Sequence, residues 1–168
     1  MTYKSPLNAP GISRADARIL TELQNEGRLS NVELAARVGM SPSPCLRRLK
    51  RLEEAGIIEG YAARVSKAAL GYSVEAFAQI RLERHSEAET DSFRQAVAGV
   101  PEVIACFAVT GDTDYLLRIV ARDLEAYGEF LRTRLLNLPN IKDIRTGFVI
   151  DTVTPGTVLP VPGGPIGR

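Results

Sequence analysis

The spacing of apolar positions changes part-way along the chain and divides it in two. Over the first third they recur every three or four residues, the period of an amphipathic helix. Ala15, Ile19, Leu20 and Leu23 share one face of a helix predicted from about Arg14 to Glu26. Ser13 is placed to cap it, Asp16 gives it a capping-box-like start and Gly27 ends it. A second helix starts at Ser30, where Ser30-x-x-Glu33 is a capping box, and stops at Gly39. Its predicted buried face is Val32, Leu34, Ala35 and Val38. A third begins with Ser41 as cap and Pro42 at the first helical position, where a missing N–H costs nothing. Cys45, Leu49 and Leu52, with Leu46 beside them, form its apolar side, and Gly56 ends it.

After residues 67–72, which read as a hinge around Gly71, the period becomes two. Val74, Ala76, Ala78, Ile80 and Leu82 alternate with Glu75, Phe77, Gln79, Arg81 and Glu83, a strand with one buried face. A helix follows from about Ser86 to Gly99, with Phe93, Ala96, Val97 and Val100 inward. Val103 to Val109 is a second strand whose unbroken apolar run predicts burial on both faces. Gly111-Asp112 turns the chain into a third strand, Tyr115 to Val120. A helix from Leu124 to Leu136 is expected to bury Leu124, Tyr127, Leu131 and Leu135, and Ile141 to Val153 reads as a long fourth strand. The order βαββαβ is that of a ferredoxin-like sandwich, two helices on one face of an antiparallel sheet. The open face and the apolar second strand call for a second copy of the chain packed sheet on sheet, hence a homodimer.

The short Gly39-to-Ser41 connection between two capped helices fits a helix-turn-helix, with Ala35 small enough for close packing and Gly39 supplying the turn. Ile57 to Val65 is expected to form a small hairpin, a wing, with Arg64 available to a phosphate. Net charge sharpens this reading only when it is split. Residues 1–66 hold ten basic and seven acidic residues, against eleven and thirteen over 67–168. From Ser41 to Leu52 there are four basic residues, Arg47, Arg48, Lys50 and Arg51, and no acid. In a helix-turn-helix this second helix enters the major groove. Ser41 and Ser43 are candidate hydrogen-bond partners for phosphate or base edges, and the helix N-terminus for a phosphate. Arg47 and Arg51, one turn apart, are expected to face DNA, with Arg48 and Lys50 at the flanks on the backbone. The competing reading is a helical bundle with a solvated basic face.

Composition narrows the remaining classes. At 168 residues with 45% hydrophobic and 24% charged, the chain suits one domain or two small ones and is not disordered throughout. No apolar run approaches the roughly 18 residues of a membrane span, and Met1-Thr2-Tyr3-Lys4-Ser5-Pro6 lacks the apolar core of a signal peptide, so a cytoplasmic protein is expected. Cys45 and Cys106, far apart and each read as core, suggest neither a disulfide framework nor a zinc site. His85, the single histidine, lies in a polar strand end and reads as solvated. Neither a phosphate loop nor a nucleophile motif appears, so no enzyme, cofactor or metal is implied. The tail is dense in Pro and Gly. Thr157 to Val161 suggests a short edge strand, and Pro162-Gly163-Gly164-Pro165 a disordered end.

Two stretches, Ser41-Pro42-Ser43-Pro44-Cys45-Leu46-Arg47-Arg48 and Val109-Thr110-Gly111-Asp112-Thr113-Asp114-Tyr115, occur in order around 60 residues apart. With both in place the chain resembles the leucine-responsive/asparagine regulator (Lrp/AsnC) family of prokaryotic transcription factors, over about Ile12 to Val161. The resemblance implies an α+β protein with a winged helix-turn-helix DNA-binding domain (1–66) and a linker (67–72). A ferredoxin-like effector-sensing and oligomerisation domain (73–154) and a Pro/Gly-rich tail (155–168) would follow. It implies double-stranded DNA, an amino-acid or related effector and further copies of the chain, up to an octamer, as partners. The family's effector site carries over to Gly111, Asp112, Thr113 and Asp114, with Thr146, Gly147 and Phe148 as candidate partners. Asp114 would suit the ammonium of an amino acid, and the backbone N–H groups of the glycine turn its carboxylate. Gly147 stands where leucine-responsive members carry a bulkier residue, so leucine is not implied as effector. The function expected is a DNA-binding regulator tuned by such a metabolite. The alternatives are a DNA-wrapping architectural protein with no effector and, lacking a catalytic constellation, an amino-acid enzyme or its regulatory subunit.

Overall fold

A computed structural model describes residues 11–154, 156 and 158–162. The chain forms two compact units: one runs through Arg64 and is rejoined by the chain from Thr154 on, and the other is Val65–Val153.

Three helices build the first unit: α1 (Arg14–Asn25), α2 (Asn31–Val38) and α3 (Pro42–Glu54). Their boundaries follow local chemistry. Both halves of a capping box close at Ser13/Asp16 and again at Ser30/Glu33. Gly39 ends α2 in the left-handed region at φ 67°, and Ala35 O accepts from Met40 N at 2.9 Å in the turn. Ile19, Leu20, Leu34, Ala35, Val38, Cys45 and Leu52 make the core, with Ile57, Ile58 and Val161 packed against it. Val32 points outward, contrary to its expected burial. At about 100° per residue it lies off the stripe that Leu34, Ala35 and Val38 share.

No hairpin forms between Ile57 and Val65. Ile57 N and Ile58 N both donate to Leu52 O, at 3.0 and 3.2 Å, so the donors that would start a ladder are taken up by the end of α3. Tyr61 OH then donates to Glu53 Oε1 at 2.8 Å and ties the segment to the end of α3. Val158 to Val161 makes no strand either. Leu159 is held instead by the side chain of Gln24, which donates to its carbonyl (3.1 Å) and accepts from its N–H (2.6 Å). Met1 to Pro6, Thr157 and Gly163 to Pro165, on which the signal-peptide and tail expectations fall, lie outside the described residues.

The second unit has four strands, β1 (Val74–Leu82), β2 (Val103–Ala108), β3 (Tyr115–Ala121) and β4 (Ile141–Phe148), and two helices, α4 (Glu87–Ala98) and α5 (Leu124–Thr133). All pairings are antiparallel, in the order β2-β3-β1-β4. Ala76, Ala78, Ile80, Leu82, Leu117 and Ile119 meet Phe93, Val97, Tyr127, Phe130 and Leu135 in one core. Within this unit, the segment before β1 contains a 3-10 turn, Ala68–Leu70, ended by Gly71.

Cys106, Leu124 and the ends of α5 and β4 depart from expectation. Cys106 is exposed rather than core, while the half-exposed Ile104 and Phe107 of edge strand β2 leave the cover expected there to a second copy. Leu124 is exposed because the buried stripe of α5 centres on Tyr127 and Phe130, and that helix gives way at Thr133 to a 3-10 turn, Leu135–Asn137. Strand β4 ends at Phe148 rather than Val153, since β1, its neighbour, begins only at Val74.

Candidate functional site

The first candidate is the outer side of α3. Ser41 stands at its N-cap position, but the hydroxyl makes no capping bond, and Ser41 and Ser43 are both exposed. With Pro42 and Pro44 in the first turn, Ser43 supplies its one backbone N–H, which no side-chain cap claims. Asn31 Nδ2 donates to Pro42 O at 2.9 Å and fixes the start of the helix. Ser43, Leu46, Arg47, Arg48, Lys50, Arg51 and Glu54 line a shallow trough along it.

The four cations on this face are not equivalent. Arg48 Nη1 donates to Asp16 Oδ1 at 3.0 Å and Arg51 Nη2 to Asp16 Oδ2 at 2.6 Å. Asp16 also accepts from Ser13 N, and its carboxylate is fully buried. Burial pushes that carboxyl up, but the bonds from Ser13 and Arg48 and the charge of Arg51 outweigh it and hold the group below its ordinary value. Among the described residues Arg47 and Lys50 form no ion pair. Arg47 and Lys50 are thus the unpaired cations of this face among the described residues, and Arg48 and Arg51 the paired ones. Arg64 is exposed.

The second candidate is the β2–β3 hairpin. Gly111 adopts φ 114°, a conformation that favours glycine. Asp114 is already engaged: Oδ2 accepts from Leu82 N at 2.7 Å, Oδ1 meets His85 Nε2 at 3.0 Å, and its own N–H donates to Ile80 O. Its carboxylate pins the end of β1 to the hairpin, and His85, though exposed, has this partner rather than water alone.

Alternation along the strands sorts the other residues onto two faces. Asp112 and Thr113 join Gln79, Arg81, Asp143 and Arg145 around a cleft of about 180 Å³ on the open face, where Gln79 stands opposite Arg145 and Arg81 opposite Asp143. Gly147 lies on that face too, opposite Phe77. Thr146 and Phe148 face the helices: Thr146 Oγ1 shares a 2.7 Å hydrogen bond with Tyr127 OH, and the Phe148 ring meets Tyr127 edge-on at 5.0 Å. A single chain therefore brings Asp112 and Thr113 together with two arginines, but not with Thr146 or Phe148. The open face also holds a nearly buried carboxylate that the sequence reading passed over, Glu75, bridged by Arg118 (2.6 Å) and by Lys67 of the hinge. In the sequence it looks like any outward strand position.

Comparison with known proteins agrees with both halves. A family model described as "Winged helix-turn-helix DNA-binding" matches residues 12–59, and one described as "Lrp/AsnC ligand binding domain" matches residues 75–159. The leucine-responsive regulatory protein of Klebsiella pneumoniae is 44% identical over 142 residues, 84% of this chain and 87% of that protein. A transcriptional regulator from Neisseria meningitidis, solved in complex with L-Met, superposes with a TM-score of 0.84 at 42% identity, covering 88% of this chain and 96% of that one. A feast or famine regulatory protein from M. tuberculosis, complexed with L-methionine, gives 0.78 at 27% identity, over 88% and 98%. No helix among the described residues is long and apolar enough to cross a membrane. The chain belongs to the Lrp/AsnC family of DNA-binding transcription regulators, whose action a small-molecule effector modulates.

Proposed function

We propose that α3 is the DNA-reading helix, with Ser41, Ser43, Arg47, Arg48, Lys50 and Arg51 as its contacts and Arg64 reaching a flanking phosphate. The observation that carries this is that Arg47 and Lys50, on an exposed face of α3, form no ion pair among the described residues. Phosphate contacts supply salt-dependent affinity, and the few side chains that reach base edges supply selectivity. The effector we assign is an amino acid, held near Gly111, Asp112, Thr113 and Asp114 with help from Thr146, Gly147 and Phe148. L-methionine is the first compound to try, because it is bound in two of the related structures. Two copies of the chain would cover the open face, where Phe77 and Phe107 stand, and dimers would assemble further, up to an octamer. The protein would work in the cytoplasm, as a regulator rather than an enzyme.

The test is a thermal-shift screen of the full chain against the twenty amino acids, with DNA binding followed in parallel. A ligand that binds only the folded protein raises the midpoint with its excess over Kd. Saturable shifts confined to one chemical class, together with DNA affinity lost in Arg47→Ala, support both halves. No shift from any amino acid on refolded protein removes the effector assignment, and unchanged DNA affinity in Arg47→Ala removes the α3 assignment.

A further inference from the structure

Asp16 does more than its place in a capping box requires. The box at the start of α1 needs one carboxylate oxygen turned back to Ser13, as at Ser30/Glu33 in α2. Glu33 is exposed and binds only within its own box, whereas Asp16 is fully buried and extends its carboxylate to α3, 32 and 35 residues further on. A buried carboxylate is tolerated only when it is paired, and both its charged partners here are arginines on the DNA-reading side. Arg48 and Arg51 are neighbours on that side, three residues apart. Each guanidinium carries five N–H donors in a planar fork, and Asp16 engages one nitrogen of each. Their other donors remain available, since the Arg48 side chain is 36% exposed and that of Arg51 is 60% exposed.

We infer that Asp16 is a positioning residue for DNA recognition, holding Arg48 and Arg51 in one orientation so that their outward donors meet the duplex without first being ordered. An unrestrained arginine loses rotamer freedom when it binds, and a buttressed one has lost it already. Asp16 does not touch DNA. It acts through the two arginines and makes them a fixed pair, while Arg47 and Lys50, with no ion pair among the described residues, are ordered only on binding. The inference rests on α3 being the DNA-reading helix.

The sign of the effect separates positioning from bulk charge. Removing an anion beside a DNA-binding surface tightens binding to any duplex by simple electrostatics. Loss of orientation weakens binding only where fixed geometry matters. The experiment uses the full chain and two duplexes of equal length, one enriched by the wild-type protein from a random pool and one scrambled. Affinities are read by fluorescence anisotropy at several salt concentrations. For Asp16→Asn the preference for the enriched duplex falls about tenfold, the scale of one well-placed base contact, while the scrambled duplex binds as before or tighter. A retained preference in a folded Asp16→Asn overturns the inference. Should that variant fail to fold, Asp16→Glu decides, since it keeps the charge and the capping-box chemistry seen at Glu33 but shifts the carboxylate that anchors the two arginines. A reduced preference supports the inference and an unchanged one overturns it. Arg47→Ala distinguishes the two failures. If it leaves both affinities unchanged, α3 is not the reading helix and the inference falls with that assignment. If it weakens binding while the Asp16 variants keep their preference, the inference falls alone.

Discussion

Asp114 offers a sharp test because its carboxylate has two claims on it. As an effector residue it would pair with an ammonium. In the structure it accepts the backbone N–H of Leu82 at 2.7 Å and meets His85 at 3.0 Å. Leu82 is 2% exposed, so in Asp114→Ala its N–H loses a charged acceptor and water replaces it poorly. Hydrogen bonds to charged groups are worth about 1.5–3 kcal/mol, and stranding a buried donor costs a similar amount. The His85 contact is exposed and adds little. The expected destabilisation of the Val65–Val153 unit is about 2 kcal/mol, a fall of roughly 10 °C in Tm for a domain of this size. Asp114→Asn keeps an acceptor oxygen and is expected to lose less than about 1 kcal/mol. Urea unfolding of the full chain, with amide exchange read at Leu82, measures both. An Asp114→Ala protein within about 0.5 kcal/mol of wild type, or with Leu82 exchanging as before, refutes the reasoning. The comparison also bears on the effector screen. A ligand response lost in Asp114→Ala but kept in Asp114→Asn reports the hairpin's geometry, and one lost in both reports the carboxylate's charge.

Three further outcomes are expected. Gly39→Ala places a side chain at φ 67° where no atom but the end of Arg18 comes near, so backbone strain alone sets the cost, about 1 kcal/mol by thermal unfolding. The Asp16 carboxyl is held below its ordinary value of 3.8, so its contribution to stability is complete above that value and disappears as pH falls through the lower native one. Acid titration of the first unit's unfolding should show this loss below pH 3.8, and Asp16→Asn should not. Gln24→Ala removes both bonds to Leu159, which are exposed, and is expected to cost about 1 kcal/mol and to speed amide exchange at Leu159.

What the sequence disclosed was local or periodic. Ser13, Ser30 and Gly39 act within a turn of where they stand, and the alternation from Val74 to Leu82 repeats along a single strand, so these elements were readable in order. The βαββαβ order followed from the elements. Burial over long separations was not readable. Asp16 looked like half a capping box because its other partners lie more than thirty residues away. Glu75 sits at an outward strand position, and only Arg118 and Lys67, brought in by the fold, make it nearly buried. The apolar run of β2 was legible as a surface calling for a second copy, and its place at the sheet edge, with one neighbouring strand in the single chain, agrees with that. Of the effector residues, the hairpin was legible as a motif. Its division between the two faces of the sheet depends on the β1–β4 register, which periodicity does not fix.

The Gln24–Leu159 pairing sets an order of events during synthesis. Its two residues are 135 positions apart, and Val161 joins the same small core. As a ribosome extends the chain, α1, α2 and α3 emerge first, yet the contacts that finish their unit arrive only after the whole sheet has been made. At typical elongation rates of about 5–20 residues per second, the three helices wait several seconds for their last strand of chain. An excised fragment ending at Arg64 would remain in that waiting state.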